Sequence, residues 1–100
     1  MAHMLVTGWY PPNKAQELLK VYTSKDKPTY PNFVKKIHHW TVISSDGHYK
    51  TYAVYEYPDD KMKEALKAIG KRYTLYATVE GYRYYPEFLM DAEEMIKMFF

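Results

Sequence analysis

The dipeptide Asp46-Gly47 constrains the fold of this chain more than any other feature, because it separates two runs rich in β-branched and aromatic residues. An Asp-Gly pair in this position is the strongest short-range signal for a β-hairpin with a two-residue turn. We therefore expect residues 37–57 to form two antiparallel strands. The same stretch contains three of the four histidines, so we expect part of any functional site to lie here.

The segments on either side of the hairpin complete an order of elements that predicts the fold. The predicted elements are a strand at 4–10, a helix capped by Asn13 and ending near Tyr22, the hairpin at 37–57, a helix from Asp59 or Asp60 to Gly70, a strand at 72–84 ended by Pro86, and a helix at 91–99. This order predicts an α+β, ferredoxin-like βαββαβ domain with a four-stranded antiparallel sheet and an added C-terminal helix.

Length and composition are those of one small domain. The chain has 100 residues, of which 1–3 are typical of a cloning remnant and 4–100 are expected to form the domain. It has no cysteine and no metal-binding spacing of histidines and carboxylates, so we expect no metal and no cofactor. A net charge of +2 does not indicate nucleic-acid binding. Since no apolar run is long enough to cross a membrane, we expect a cytoplasmic location.

A two-residue turn would also fix which side chains share a face of the hairpin. It pairs Thr41 with Tyr52, and alternate residues then point to opposite faces. One face would carry His38, Trp40, Val42, Thr51, Ala53 and Tyr55. The other would carry Ile37, His39, Thr41, Ile43, His48, Lys50, Tyr52, Val54 and Glu56. We expect the first of these faces to pack against the helices.

The second face is apolar over most of its length, and such a face is too large to leave in water. We expect a second copy of the chain to cover it, which gives a twofold homodimer. The expected interface residues are Ile37, His39, Thr41, Ile43, Tyr52 and Val54. The alternative is that the C-terminal helix covers this face.

Three short motifs carry a resemblance to a known family. They are Trp9-Tyr10-Pro11-Pro12, Ile37-His38-His39-Trp40, and Ala53-Val54-Tyr55-Glu56 followed by Asp59-Asp60. With the order of elements, they resemble a small prokaryotic domain family of unknown function within the dimeric α/β-barrel superfamily. That family often has Gly-Arg-Trp-His on its second strand. Here Trp40 matches, but His39 replaces Arg and Thr41 replaces His, so a function carried by those two positions would be altered or lost.

The resemblance implies a pair of ferredoxin-like sheets that form a barrel, with a pocket between sheet and helices in each copy. Members of the superfamily include cofactor-free quinol-type monooxygenases, haem-degrading enzymes, small isomerases and proteins that only bind ligands. A shared fold does not determine which of these functions a protein has. The sequence therefore leaves open whether the protein is an enzyme.

The preferred interpretation is a protein that binds a small hydrophobic or planar molecule, with or without metal-free turnover. Trp9, Trp40 and Tyr55 would line the pocket, and His38 would act as the acid or base if there is catalysis. The alternative for His38 is a core histidine bonded to the backbone. The alternative for Trp40 and Tyr55 is that they only pack in the core.

Two other roles fit the sequence less well. One is a structural or assembly protein without a ligand. The other is a single-stranded RNA-binding module, because residues 50–57 agree with an RNA-recognition motif at Lys50, Tyr52, Ala53 and Tyr57. The motif fails at Thr51, Val54 and Tyr55, and Val54 replaces a stacking aromatic residue.

Overall fold

The computed structural model describes residues 1–43 and 47–100, and over these ranges it is an α+β fold with four strands and three α-helices. The elements are β1 Ala2–Tyr10, α1 Ala15–Tyr22, β2 Lys35–Val42, β3 Tyr49–Tyr57, α2 Met62–Tyr73, β4 Arg83–Leu89 and α3 Ala92–Phe99. The strands form one antiparallel open sheet in the order β2-β3-β1-β4. This arrangement is compatible with the predicted ferredoxin-like fold.

The core lies between one face of the sheet, here called the helix face, and the helix α2. Alternate residues of β1 and β3 point into it, including Met4, Val6 and Tyr55, which are fully buried. Ala65 and Ile69 of α2 lie four residues apart and pack against them. The apolar residues at alternate positions of the strands and those four residues apart in α2 therefore pack together in one apolar layer.

Helix α2 continues past Gly70, where the sequence predicted its end. The reason is Tyr73, which follows Ile69 by one more helical turn and is buried in the core. Burial of a large aromatic side chain contributes about 2 kcal/mol. This is more than the cost of about 1 kcal/mol for glycine inside a helix.

The predicted strand at 72–84 is therefore wrong in its first part. Residues Thr74–Thr78 form a 3₁₀ turn, and β4 begins only at Arg83. Gly81, with φ of +84°, adopts the left-handed conformation that the chain needs before it enters the strand. Pro86 lies inside β4 opposite Val6 instead of ending it. Proline is tolerated there because β4 is an edge strand.

The predicted helix caps also differ from the structure. Short 3₁₀ turns at Pro12–Lys14 and Asp59–Lys61 precede α1 and α2, and neither of these helices has a side-chain hydrogen bond at its N-cap. Helix α3 forms as predicted, with Asp91 at its N-cap position, but this cap too lacks a side-chain bond.

The predicted register of the hairpin is wrong by one residue. Thr41 pairs with Thr51 instead of Tyr52, and a β-bulge interrupts β2 between Lys36 and His38. The strands end at Val42 and resume at Tyr49, so their connection is longer than a two-residue turn. Asp46, half of the predicted turn, lies outside the described residues.

This slip reverses the predicted faces of β2, because a shift of one residue moves every side chain of a strand to the other face. His39 and Thr41, predicted at a dimer interface, share the helix face with Tyr55. His38 and Trp40, predicted beside Tyr55, lie on the opposite side of the sheet, here called the open face. The open face carries Trp9, His38, Trp40, Tyr52, Val54 and Tyr85.

Helix α3 leaves the open face exposed. Trp40 is 54% exposed and Tyr85 is 52% exposed. No residue of α3 is buried, and its apolar residues Met95, Ile96 and Phe99 also face water. Two apolar surfaces of the described chain, the open face and the apolar side of α3, are therefore exposed to water.

Candidate functional site

A cavity of about 300 Å³ lies between the helix face of the sheet and the helices, near the edge strand β2. Its floor comes from β2 and β3, which contribute His39, Thr41 and Tyr55. Its walls come from α1, from the loop that follows α1, and from the end of α2. The cavity is therefore built where the two layers of the fold separate toward the edge of the sheet.

Tyr55 is the centre of the cavity floor. Its side chain is fully buried, and its hydroxyl is 2.8 Å from that of Tyr30 and 3.1 Å from that of Tyr73. A phenol can donate one hydrogen bond and accept another, so Tyr55 can satisfy both contacts. The three residues come from β3, from the loop before β2 and from α2, so the chain of hydroxyl groups joins the sheet to both walls.

Further tyrosines extend this chain along one wall. The ring of Tyr73 stacks on Tyr84 at 5.1 Å, and Tyr76 lies 5.0 Å from Tyr82 between ring centroids. Gly8 makes room for the last of these rings, because a Cβ atom at Gly8 would lie 2.7 Å from the hydroxyl of Tyr82. We call Tyr30, Tyr55, Tyr73, Tyr76 and Tyr82 the tyrosine cluster.

Burial keeps the hydroxyl groups of the cluster protonated. It raises the pKa of Tyr55, Tyr73 and Tyr82 well above the ordinary value of 10.0. It also raises the pKa of Tyr76 to about 12, against an opposing effect of the Arg72 charge. All four are therefore neutral phenols at physiological pH, and they contribute no negative charge to the cavity.

Two basic side chains, Lys36 and Arg72, line the cavity, and a third, Lys27, lies over the ring of Tyr22, which also lines it. The guanidinium carbon of Arg72 lies 4.5 Å from the ring centre of Tyr30, and its Nη1 donates to the Pro28 carbonyl at 3.3 Å. The ammonium groups of Lys27 and Lys36 lie 4.7 Å and 5.2 Å from the ring centre of Tyr22. We call Lys27, Lys36 and Arg72 the basic cluster.

The positive charges of the basic cluster repel one another. Burial lowers the pKa of Lys36 first, and the positive charges of Arg72 and Lys27 lower it further. The same two causes act on His39 at the rim, where desolvation and then Lys36 lower its pKa below 6.5. His39 is therefore mainly neutral at physiological pH. Its Nδ1 lies a long 3.5 Å from the Tyr22 hydroxyl.

The structure separates the ligand-binding residues that the sequence predicted together. Of Trp9, His38, Trp40 and Tyr55, only Tyr55 lines the cavity. Trp40 stacks on His38 on the open face, with ring centres 4.7 Å apart, and Trp9 contacts Tyr85 on that face. The prediction that His38 and Trp40 face the same pocket as Tyr55 is therefore wrong, because it depended on the hairpin register.

The predicted interface residues are also divided between the two faces. Tyr52 and Val54 lie on the open face, as expected, and Ile43 is exposed just beyond β2. His39 and Thr41 line the cavity instead. Ile37 lies at the β-bulge and is partly exposed.

The sequence did not single out Lys36, Arg72, Tyr30 or Tyr73 as site residues. A signal was present for Tyr73 but not for Lys36. Tyr73 continues the spacing of four residues set by Ala65 and Ile69. Lys36 precedes the predicted strand and shares the face of Tyr55 only because of the β-bulge, which no sequence pattern indicates.

The residues that agree with an RNA-recognition motif are likewise separated. Ala53 and Tyr57 are buried in the core, whereas Tyr52 lies on the open face. Within residues 1–43 and 47–100, no group of three or more His, Cys, Asp or Glu side chains is placed to hold a metal ion. None of the helices in these ranges has the length and apolar character to span a membrane.

Comparison of the chain with protein-family models, with curated proteins and with solved structures found no significant match. The resemblance to the dimeric α/β-barrel superfamily therefore stays a prediction.

Replacing Tyr55 with Phe should lower the free energy of unfolding by about 1–3 kcal/mol, because the buried hydroxyl of Tyr73 loses its partner. Chemical denaturation measures this change. Tyr85→Phe, at an exposed position, is the control and should cost little. Equal effects of the two substitutions would contradict a structural role for the chain of hydroxyl groups.

Replacing Lys36 with Met should raise the pKa of His39, because Lys36 is one of the two causes that lower it. NMR titration of the His39 ring measures the shift, and Lys63→Met on the exposed side of α2 is the control. Since the pKa of His39 is lower in the folded than in the unfolded state, its contribution to stability is complete above pH 6.5. This contribution falls as the pH drops toward the folded-state pKa. An unchanged pKa in Lys36→Met would place the two side chains too far apart to interact.

Proposed function

We propose that the protein binds a small planar, largely apolar molecule in the cavity between the sheet and the helices. The observation that carries this proposal is the tyrosine cluster, which surrounds a space of about 300 Å³ with ring faces and a few neutral hydroxyl groups. Sites for small molecules are typically concave, aromatic and apolar, with few polar groups that orient the ligand. A cavity of this volume suits a molecule of one or two fused rings.

The cavity also has residues that could orient such a ligand. Thr41 and Thr51 place hydroxyl groups on its floor, and Tyr22 closes one side of its mouth. If the protein also transforms its ligand without a metal, His39 is better placed than His38 to accept a proton. It lines the cavity, and its lowered pKa leaves it mainly neutral. Binding without turnover requires none of this chemistry.

We also propose that a second copy of the chain covers the open face, so that two sheets pack into a dimeric α/β barrel. What supports this is the exposure of Trp40, Tyr85 and Leu89 on one side of the sheet. Contiguous apolar surfaces of this kind mark interfaces in soluble proteins. A twofold axis would bring two identical apolar faces together, which makes the contact self-complementary.

Thr41→Phe should fill the cavity from its floor and weaken the binding of the neutral fluorescent probe N-phenyl-1-naphthylamine by about tenfold or more, since the aromatic ring takes the space of the probe. Val42→Phe is the matched control, because the next residue of β2 points to the opposite face. Fluorescence titration gives both affinities. Equal affinities for the two variants would exclude the cavity as the binding site.

Tyr85→Lys should convert the dimer into a monomer, because it places a charge in the apolar contact between the two sheets. Leu19→Lys is the control, since Leu19 is 56% exposed, close to the 52% of Tyr85, but lies on the helix side. Sedimentation equilibrium at several concentrations distinguishes the two states. If the wild-type protein is monomeric at high micromolar concentration, the proposed dimer is wrong. The proposal that the cavity binds a ligand would not be affected.

A further inference from the structure

The charges around the cavity are distributed very unevenly. The chain has 14 basic and 12 acidic residues, so it is nearly balanced as a whole. Nevertheless, among residues 1–43 and 47–100, Lys36 and Arg72 line the cavity and no Asp or Glu does so. Among the described residues, the ion pairs are Met1 with Asp59, His3 with Glu56 and Lys14 with Glu17, and none of them involves the basic cluster.

In the part of the chain that the structure describes, each member of the basic cluster is held by aromatic rings or backbone carbonyls, and not by a carboxylate. Arg72 lies over Tyr30 and donates to Pro28, and Lys27 donates to the Tyr22 carbonyl at 2.5 Å. Such contacts orient a cation but leave most of its charge uncompensated. All three side chains are partly buried, so water screens their mutual repulsion less than on an open surface.

The remaining polar groups of the cavity supply no negative charge. The phenols of the tyrosine cluster stay protonated because burial raises their pKa values, and His39 and the threonine hydroxyls are neutral. A cationic ligand would therefore meet only like charge. A neutral ligand would leave the basic cluster as it is. An anionic ligand alone would compensate it.

We infer that the ligand carries an oxyanion group, such as a carboxylate, sulfonate or phosphate, which binds between Lys36 and Arg72 while its planar part lies against the tyrosine cluster. Lys36 comes from the sheet and Arg72 from the last turn of α2, so the two cations approach the mouth from the two layers of the fold. The flat guanidinium of Arg72 can donate two parallel hydrogen bonds to such a group. This inference rests on the proposed function, since it names the ligand class of the same cavity.

The test compares two ligands of the same ring system that differ in charge, 2-naphthoate and the neutral 2-naphthalenemethanol. Isothermal titration calorimetry at about 50 mM salt keeps the interaction of partly buried charges measurable. The wild-type protein should bind 2-naphthoate about tenfold more tightly than the alcohol. Lys36→Met should weaken the binding of 2-naphthoate much more than that of the alcohol, and so remove most of this preference.

Three further variants separate charge from structure. Lys36→Arg keeps the positive charge and should retain the preference for the anion. Lys63→Met removes an exposed charge of α2 that lies outside the cavity lining and should change neither affinity. Lys27→Met should reduce the preference in part, which provides a second measurement if Lys36→Met fails to fold by circular dichroism.

The outcomes distinguish this inference from the proposed function. If wild-type protein binds both compounds equally, or binds the alcohol more tightly, the inference is wrong and the cavity remains a site for neutral molecules. If it binds neither compound, the inference is also wrong. The affinity for N-phenyl-1-naphthylamine then decides separately whether the cavity binds planar molecules at all.

Discussion

The hydrogen bonds of the Tyr55 hydroxyl hold together the three parts of the chain that form the cavity. Tyr55 belongs to β3, Tyr73 to α2 and Tyr30 to the loop that leads into β2. A buried hydroxyl without a partner costs about 1–3 kcal/mol, so each of these groups depends on the others. That loop leads into β2, which supplies part of the cavity floor.

The β-bulge in β2 also determines which side chains reach the cavity. Lys36 pairs with Tyr55, whereas His38 pairs with Val54, so the strand gains one residue on this edge of the sheet. The extra residue lets Lys36 and His39 share the helix face although they are three positions apart. Without it, strict alternation would place one of the two on the open face. The bulge therefore joins a basic group and a histidine in one site.

Much of the fold could be predicted from the sequence, because its main signals are local. Periods of two and of about 3.6 residues identify which segments are strands and which are helices, and the order of elements then limits the topology. The first part of the predicted strand at 72–84 is wrong because its aromatic and β-branched residues suit a strand, whereas burial of Tyr73 against the sheet favours continuation of the helix. This choice depends on packing partners that are distant in the chain.

The candidate site was less predictable, since it depends on register. Tyr55 was identified because β3 alternates regularly, but the contribution of β2 depended on a connection whose length the Asp46-Gly47 signal underestimated. An error of one residue exchanged His38 for His39 and Trp40 for Thr41. The basic cluster was not predicted, because an isolated lysine or arginine is most often a solvated surface residue. Only the folded chain shows that, among the residues described, no acidic one lines the cavity beside Lys36 and Arg72.

In a site of this kind, the cations that favour binding of an anion also lower the stability of the fold without ligand. Uncompensated cations held near one another raise the free energy of the folded state, and this cost remains as long as the cavity holds no counter-charge. A ligand that supplies the counter-charge removes the repulsion and adds its own binding energy to the stability of the fold. The phenols of the tyrosine cluster are neutral, and two tyrosine rings present negative faces to the cations: Tyr22 to Lys27 and Lys36, and Tyr30 to Arg72. Tyr30 thus both bonds to the buried hydroxyl of Tyr55 and holds one of the charges that would select the ligand.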